Sequence, residues 1–417
     1  MKMSKKGKER KVLICNADYL PTLEAARQLG KLGVKVVVAD HKKYKIANWS
    51  KYVQYCKAPD LKDTKNFLLW LKETAGKGVF NAVLPTSDIM VWYLSSRQKE
   101  LSKYFDTFIP LAYSVKLCLF KDLTYKCCIR HGIGTPKTYF PTSMLQVRRL
   151  AGKIKYPAII KHRTSLGMAL KDKGKVVNSK GDLIKKYSKD TLIYDKEEIL
   201  KASPNIEWPM VQEYIKNAAD NIYHVLGVSA NKGRTSDLMC ARRLRAEPPK
   251  LGISVCSETA DNKQAILEVR KFLKAVKFEG PFSVEVIYDS ANGKHKIIDA
   301  NPRLAGLTGL AIANGFGIPK LWLCLLEKNG NIKDNINSGN KMYVHLISDL
   351  LYMPGNILHS SDKFKSIRDV IRTYFGPKKL AVFSLDDPKP ALIDIIMNTR
   401  NKIKHPIFYL RENIKGE

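Results

Sequence analysis

Acidic residues are scarce in this chain. Its 72 Lys and Arg face only 39 Asp and Glu, a formal net charge of +33. Such a surplus suits a polyanion partner. Yet the lysines are spread along the whole chain and aromatics do not interleave with them as in single-strand binders. No nucleic-acid motif stands in the sequence, so nucleic acid is disfavoured and a lysine-rich solvated surface is the simpler account. Long apolar runs are missing too, and none approaches the length that spans a bilayer. The start, "MKMSKKGKERKVLICNADY", has a basic lead, but only VLIC follows before polar residues return. That is too short for a signal peptide and reads as a first β-strand. The expectation is a cytoplasmic protein whose residues 1–10 form a disordered basic tail. Cysteine pairs at C-x-x-C spacing are also absent. Cys15, Cys56, Cys118, Cys127, Cys128, Cys240, Cys256 and Cys324 mostly sit in apolar runs, which indicates packed, reduced thiols rather than a disulfide frame or zinc site.

What is present is 417 residues, 45% of them hydrophobic, enough for two or three domains. From Lys11 strands and helices alternate: VLIC, the helical LPTLEAARQLGKLG, the buried VKVVVAD, the helical DTKNFLLWLKETAG, then FNAVLPTSD. This is an open parallel α/β sheet whose ligands would sit at strand C-termini. No G-x-G-x-x-G follows the first strand; CNADYLP stands there instead, which disfavours a nicotinamide-type site. Ser87 and Asp88 either touch a substrate or cap the next helix, and capping is the simpler account. A helix around 119–131 follows. "YPAIIKHRTSLGMAL" gives a strand, Lys161 and a polar loop, a pattern that suits phosphate binding but ends many strands. WPMVQEYI delivers Glu213. A pair of strands then carries Arg243 and Arg245, read as lying on one face and forming either an anion clamp or a solvated edge.

The most informative stretch is "FSVEVIYDSANGKHKIIDANPRLAG". Centring a hairpin on Ala291-Asn292-Gly293 places Ile287 opposite Ile297, Asp289 opposite His295, Glu285 opposite Asp299 and Ser283 opposite Asn301. Alternation puts these on one face, with Val284, Val286, Tyr288 and Ile298 on the other. Opposed carboxylates about 5 Å apart would repel by roughly 3 kcal/mol at an effective dielectric near 20. A shared proton or an intervening cation relieves that. Glu285, Asp299 and the Asn301 amide offer only oxygen, which suits Mg²⁺ or Mn²⁺ rather than zinc. Arg303 continues the alternation, as at a phosphate site. The alternative is an edge hairpin with a solvated polar face.

Taken in order, these elements resemble the ATP-grasp superfamily, over most of the chain. The metal motif there is usually Glu-x-Asn; "DANPR" supplies Asp299, Asn301 and Arg303, with Glu285 upstream. The resemblance implies an N-terminal α/β domain (11–115), an ATP-grasp domain of α+β character (116–328) with a small lid subdomain (137–209), and a basic C-terminal extension (329–417). ATP would lie between the two subdomains. Lys161 would hold its phosphates and Lys121 would be a further nucleotide contact. Gln212, Glu213, Tyr214 and Ile215 would form the adenine hinge, and Asp220 would meet the ribose. Glu285, Asp299 and Asn301 would bind Mg²⁺ (or Mn²⁺), with Arg243, Arg245 and Arg303 facing the reacting phosphate. The loop HRTSLGMAL has one glycine where the family has several, so Arg163, Thr164 and Ser165 would engage phosphate by side chain.

"RRLRAEPPKLG" and "FSLDDPKPAL" further resemble the predicted ATP-dependent carboligase branch, which includes ligases of D-aspartate type. The implied activity is carboxylate–amine ligation through an acyl-phosphate, with small-molecule carboxylate and amine substrates. A carboxylase or kinase-like relative, or a polyanion binder on an idle nucleotide fold, are the rivals. His224, on a strand near the hinge, is a candidate base only because it titrates. The basic "NTRNKIKHPIFYLRENIK" motivates one more expectation, attachment to an anionic membrane surface near a cell-envelope precursor.

Overall fold

The computed structural model describes residues 9–168, 174–216, 218–235, 238–250, 252–328, 341–404 and 413–414. The first strand, Lys11–Cys15, lies between Lys35–Asp40 and Ala82–Val83, and Val53–Lys57 completes a four-stranded, all-parallel sheet. Alternate residues of these apolar strands enter two different cores, as a sheet covered on both faces requires. Val12, Ile14, Val36 and Val38 pack with Leu23, Ala26 and Leu29 of the helix Leu20–Lys31. Leu13, Cys15, Val37 and Ala39 pack with Phe67 and Leu71 of the helix Thr64–Gly76. Asp63 caps that second helix by accepting from the Asn66 amide.

A second sheet, antiparallel, runs in the order Thr138–Tyr139, Met210–Glu213, Ala158–Lys161, Lys175–Val177. The third has seven strands. Lys294–Asn301, Gly280–Asp289, Ile222–Ser229, Met239–Glu247 and Ile253–Thr259 are joined in antiparallel order, and Met342–Val344 and Lys378–Leu380 extend it. The chain after Lys341 is thus part of this sheet. Its helix Leu346–His359 packs on Met239–Glu247, while Lys389–Lys404 reaches back to the turn Ile46–Trp49 beside the parallel sheet. Buried Arg27 fixes that return, donating to Asp387 Oδ2 at 2.9 Å and to the Asp387 and Val382 carbonyls. Fully buried Trp322 joins the parallel sheet's core to the seven-stranded sheet and donates to the Phe108 carbonyl at 3.0 Å.

Two details differ from the alternation expected above. In the hairpin, Ser283 faces Asn301 and Glu285 faces Asp299, but Val286 then faces Ile297 and Ile287 faces Lys296. Ile298 is a bulge residue, because the loop closes at Asp289 and Lys294 rather than one residue later. Ile298 therefore packs with Ile287, not with Val284, and His295 stacks on Tyr288, leaving Lys296 beside Asp289. The second detail is in Met239–Glu247. Arg243 pairs with Ser257 and Arg245 with Cys256, so a bulge at Leu244 turns the two arginines to opposite faces.

Of the expected tail, residues 1–8 lie outside those described; Arg10 is held by Asp106 at 2.6 Å and Glu327 at 3.2 Å. The helix expected around 119–131 is Ala112–Leu119 followed, after Phe120, by Lys121–Arg130. No described helix is long and apolar enough to cross a membrane.

Candidate functional site

The strand ends of the hairpin, the first turn of Lys121–Arg130 and the end of Ala158–Lys161 converge. Asp299 is the centre of this convergence. It ion-pairs with the Lys121 ammonium, and Asn301 Nδ2 donates to its second oxygen at 3.4 Å. Burial disfavours an ionised Asp299, but Lys121, Arg303 and Lys161 outweigh it and hold the carboxyl below its usual range. The Lys121 side chain is 21% exposed, and Asp299, Tyr125 and Glu285 raise its pKa against the opposing pull of desolvation. The helix position is set by the Lys121 amide, which donates to the Arg163 carbonyl at 2.7 Å.

Lys161 lies near the same carboxylates, but its ammonium makes no hydrogen bond or ion pair among the described residues. Burial and the neighbouring Lys121 bring its pKa down to about 8, with Asp299 and Glu285 opposing them. A lysine in that state gains most from an incoming anion. Arg243, also buried, donates to the carbonyls of Gly252 and Lys250 at 3.2 Å each. Burial lowers its pKa, while Glu285 and Asp220 oppose that. Arg303 donates to Asp88 Oδ1 at 2.7 Å and to Asn301 Oδ1 at 3.0 Å.

Asp88 therefore does more than follow the Ser87 cap, which accepts from the Met90 amide. It links the parallel-sheet domain to Arg303 and accepts from Ser165 at 3.1 Å. Of the three loop side chains expected to engage phosphate, Ser165 is the one that meets the site among the described residues. Arg163 turns inward to the Pro141 carbonyl and the Phe140 ring, and the Thr164 hydroxyl accepts from the Leu166 amide. Residues 169–170 of that loop lie outside the described residues.

The expected hinge is spread along one edge. The buried Gln212 donates to Thr138 at 2.8 Å, and Glu213 accepts from the Lys137 amide at 2.9 Å and from Lys296 at 2.5 Å. Lys296 also holds Asp289 at 2.8 Å. Ile215 packs with Ile222, Ile287 and Ile298, while Tyr214 follows the strand end. Asp220 is bonded to the Ser361 hydroxyl at 2.6 Å, which places it against the C-terminal segment. Lys296 is the residue that strict alternation hides, since only the Ile298 bulge brings it to this face.

Arg245 is not in this convergence. It is buried on the opposite face, forked onto Asp349 at 2.6 and 2.8 Å and bonded to Thr373 at 3.1 Å, with Tyr374 donating to the same carboxylate at 2.7 Å. His224 is bonded to Ser254 at 3.2 Å, and its Nδ1 lies 4.0 Å from Glu285.

Glu285, Asp299 and Asn301 fit a hard cation in kind: two opposed carboxylates and an amide oxygen, with no nitrogen or sulfur donor. Among the described residues no group of three His, Cys, Asp or Glu gathers to hold a metal, so the amide is a necessary member of the set. Beside the site, a cleft of about 400 Å³ opens at the C-terminal ends of the parallel strands, lined by Asn16, Asp18, Tyr19, Asp40, His41 and Lys45 among others.

No family model matches the sequence, and no curated protein does. Solved structures do. Biotin carboxylase from Campylobacter jejuni, in a β,γ-ATP complex, superposes with a TM-score of 0.61 at 17% identity, over 80% of this chain and 74% of that one. N5-carboxyaminoimidazole synthetase from Staphylococcus aureus gives 0.55 at 16% identity, over 78% and 79%. L-amino acid ligase from Bacillus licheniformis gives 0.54 at 14%, over 77% and 75%. The chain has the ATP-grasp fold. At these identities the ATP-grasp likeness concerns architecture, and the two stretches of carboligase resemblance have their own roles in it. "RRLRAEPPKLG" carries the Leu244 bulge, and "FSLDDPKPAL" carries the Asp387 that holds Arg27.

Proposed function

We propose that this ATP-grasp chain is an ATP-dependent carboxylate–amine ligase that works through an acyl-phosphate. The observation that carries the reading is the opposed Glu285–Asp299 pair with Asn301 beside it, ringed by Lys121, Lys161, Arg243 and Arg303. An array of fixed cations around two acids is suited to a polyphosphate, whose charge the cations stabilise. ATP would lie between the lid sheet of 137–209 and the seven-stranded sheet, its adenine at Gln212–Ile215. Domain limits of 11–115 and 116–328 go with this reading, but the chain from Lys341 supplies the last two strands of the seven-stranded sheet and is not a separate extension.

A carboxylate oxygen of the first substrate attacks the γ-phosphorus and ADP leaves with the bonding pair. The amine nitrogen of the second then attacks the acyl carbon, and phosphate departs with the C–O bonding pair and the amine's proton as the amide forms. Lys161 and Lys121 bind the phosphate oxygens, and Arg303, oriented by Asp88, faces the transferring group. Mg²⁺ or Mn²⁺ on Glu285, Asp299 and Asn301 would supply charge neutralisation on the phosphates. Arg245 is left out of this machinery because it is buried on the opposite face, its Nε and Nη2 forked onto Asp349 and Nη2 also bonded to Thr373. The cleft beside Tyr19 is the natural place for a small-molecule substrate. Burial and the charge of nearby Asp88 raise the Tyr19 hydroxyl, with Arg303 opposing.

The test is phosphate release from ATP with Mg²⁺ across a panel of amino acids and carboxylates, with Glu285→Gln/Asp299→Asn alongside. Release that needs both a carboxylate and an amine supports the ligase. Because a carboxylase stands among the similar structures, bicarbonate is run as a donor, and release with bicarbonate and no other carboxylate would replace the ligase reading by carboxylation.

A further inference from the structure

We infer that the helix Lys363–Phe375 seats this protein on an anionic lipid surface. The helix is built inside out. Phe364 and Phe375 are each 88% exposed, Ile371 55% and Ile367 45%. Positions 364, 367, 371 and 375 recur at helical spacing and so form one outward stripe. The inward face is polar. Thr373 is fully buried between Arg245 and the Asp369 carbonyl, and Asp369 lies 3.8 Å from Arg242 and 3.2 Å from Arg372. A helix that only covered a soluble core would carry the reverse arrangement.

The stripe is bordered by Lys363, Lys365 and Arg368, whose side chains make no hydrogen bond or ion pair among the described residues. Such residues can lay their stems along an apolar surface and raise their charges to lipid phosphates while the rings enter the acyl boundary. The helix Leu346–His359, packed alongside, leaves Leu350 and Leu358 about half exposed and adds apolar surface. A chain with net charge +33 is drawn to anionic headgroups. The same charge argues against a second copy as the occupant, because a two-fold contact would set each copy's basic border against the other's. No described helix can span a bilayer, so this contact lies on the surface. The earlier expectation of attachment through the extreme C-terminus falls almost wholly outside the residues whose side chains are described; the present inference rests on a different element.

The experiment is co-sedimentation of the full chain with vesicles of phosphatidylcholine alone or with about 30% anionic lipid, at low and high salt. Phe364→Ser/Phe375→Ser and Ile367→Ser/Ile371→Ser are compared, with light scattering for mass and nucleotide binding as a check on folding. We expect binding to anionic vesicles only, weakened by salt, and a loss of roughly tenfold or more in either variant with nucleotide binding unchanged. Failure of the full chain to bind anionic vesicles at low salt overturns the inference. So does binding that both variants retain in full, which would assign it to the general surface charge. A wild-type dimer that the variants dissociate, without lipid binding, would make the stripe an interface between copies and overturn it equally.

Discussion

Raising the pH through 8 should weaken nucleotide binding, and one residue should account for it. Lys161 is held down to about 8 by burial and by Lys121, although Asp299 and Glu285 pull the other way. An anionic phosphate against its ammonium reverses the balance and raises that pKa in the complex. Below pH 8 the free protein already carries the proton, and binding takes up none. Above pH 8 the free protein has lost it, and binding must draw one from solution. The association constant then falls by up to ~10-fold for each pH unit, because one pKa unit is ~1.4 kcal/mol. The phosphate's own last proton leaves near pH 6 and so does not mask the effect.

The assay is calorimetric titration of ATP or a non-hydrolysed analogue at pH 7, 8, 9 and 9.5, in buffers of differing ionisation enthalpy. Wild type should show proton uptake that rises toward one per nucleotide above pH 8, and an affinity that falls in step. Lys161→Arg, which keeps its charge, should show a flat profile, and Lys161→Met a flat and uniformly weaker one. An affinity that stays constant from pH 7 to 9.5, or one that falls identically in Lys161→Arg, would refute the assignment. Folding carries the opposite sign. The unfolded chain binds the Lys161 proton up to its ordinary value of 10.5, so this group's contribution to stability improves as pH rises from about 8 toward that value.

Three further outcomes are expected. Glu285→Gln/Asp299→Asn should lower turnover at least ~100-fold while thermal unfolding stays cooperative, measured by phosphate release beside a melting curve. Arg245→Met should destabilise by ~3–5 kcal/mol because Asp349 is left buried and unpaired, whereas Arg245→Met/Asp349→Leu should recover most of that loss; denaturant unfolding of both variants decides it, and activity per folded molecule should change little. Trp322→Ala should cost ~3–5 kcal/mol and loosen the join between the parallel sheet and the seven-stranded one, read as a lowered unfolding midpoint and as proteolysis of that join.

Much of the fold was open to reading because the N-terminal strands are apolar on both faces and the helices between them carry their own caps, as Asp63 and Ser87 do. The chain after Lys341 was not. Its strands Met342–Val344 and Lys378–Leu380 are three residues each, too short for a period of two to register, and the second is mostly lysine. Their place in the sheet is fixed by partners rather than by pattern. The same holds for Asp88, which pairs with an arginine 215 positions away. No local spacing encodes such a contact. A cap and an ion-pair partner look identical in sequence.

Two bulges decide which residues share the face of Glu285 and Asp299. Period-two reading assigned Arg243 and Arg245 to one face, and Lys296 to the face away from Asp299. Leu244 and Ile298 each insert one residue and invert both assignments. The consequences are chemical. At Leu244, one arginine stays near Glu285 while the other becomes the forked partner of Asp349 and ties the sheet to the C-terminal helices. At Ile298, Lys296 is brought beneath Glu213 and Asp289, where one ammonium holds the hairpin and the strand Met210–Glu213 together. Deleting Ile298 would leave both pairings as they are, Glu285 opposite Asp299 and Ile287 opposite Lys296, because Ile298 is the residue with no partner across the hairpin. A loop closed one residue later, with His295 opposite Asp289, is what would restore strict alternation, send Lys296 to the other face and leave Glu213 and Asp289 without their shared cation. A single extra backbone unit thus puts the lysine that joins the two sheets on the same face as the acid pair.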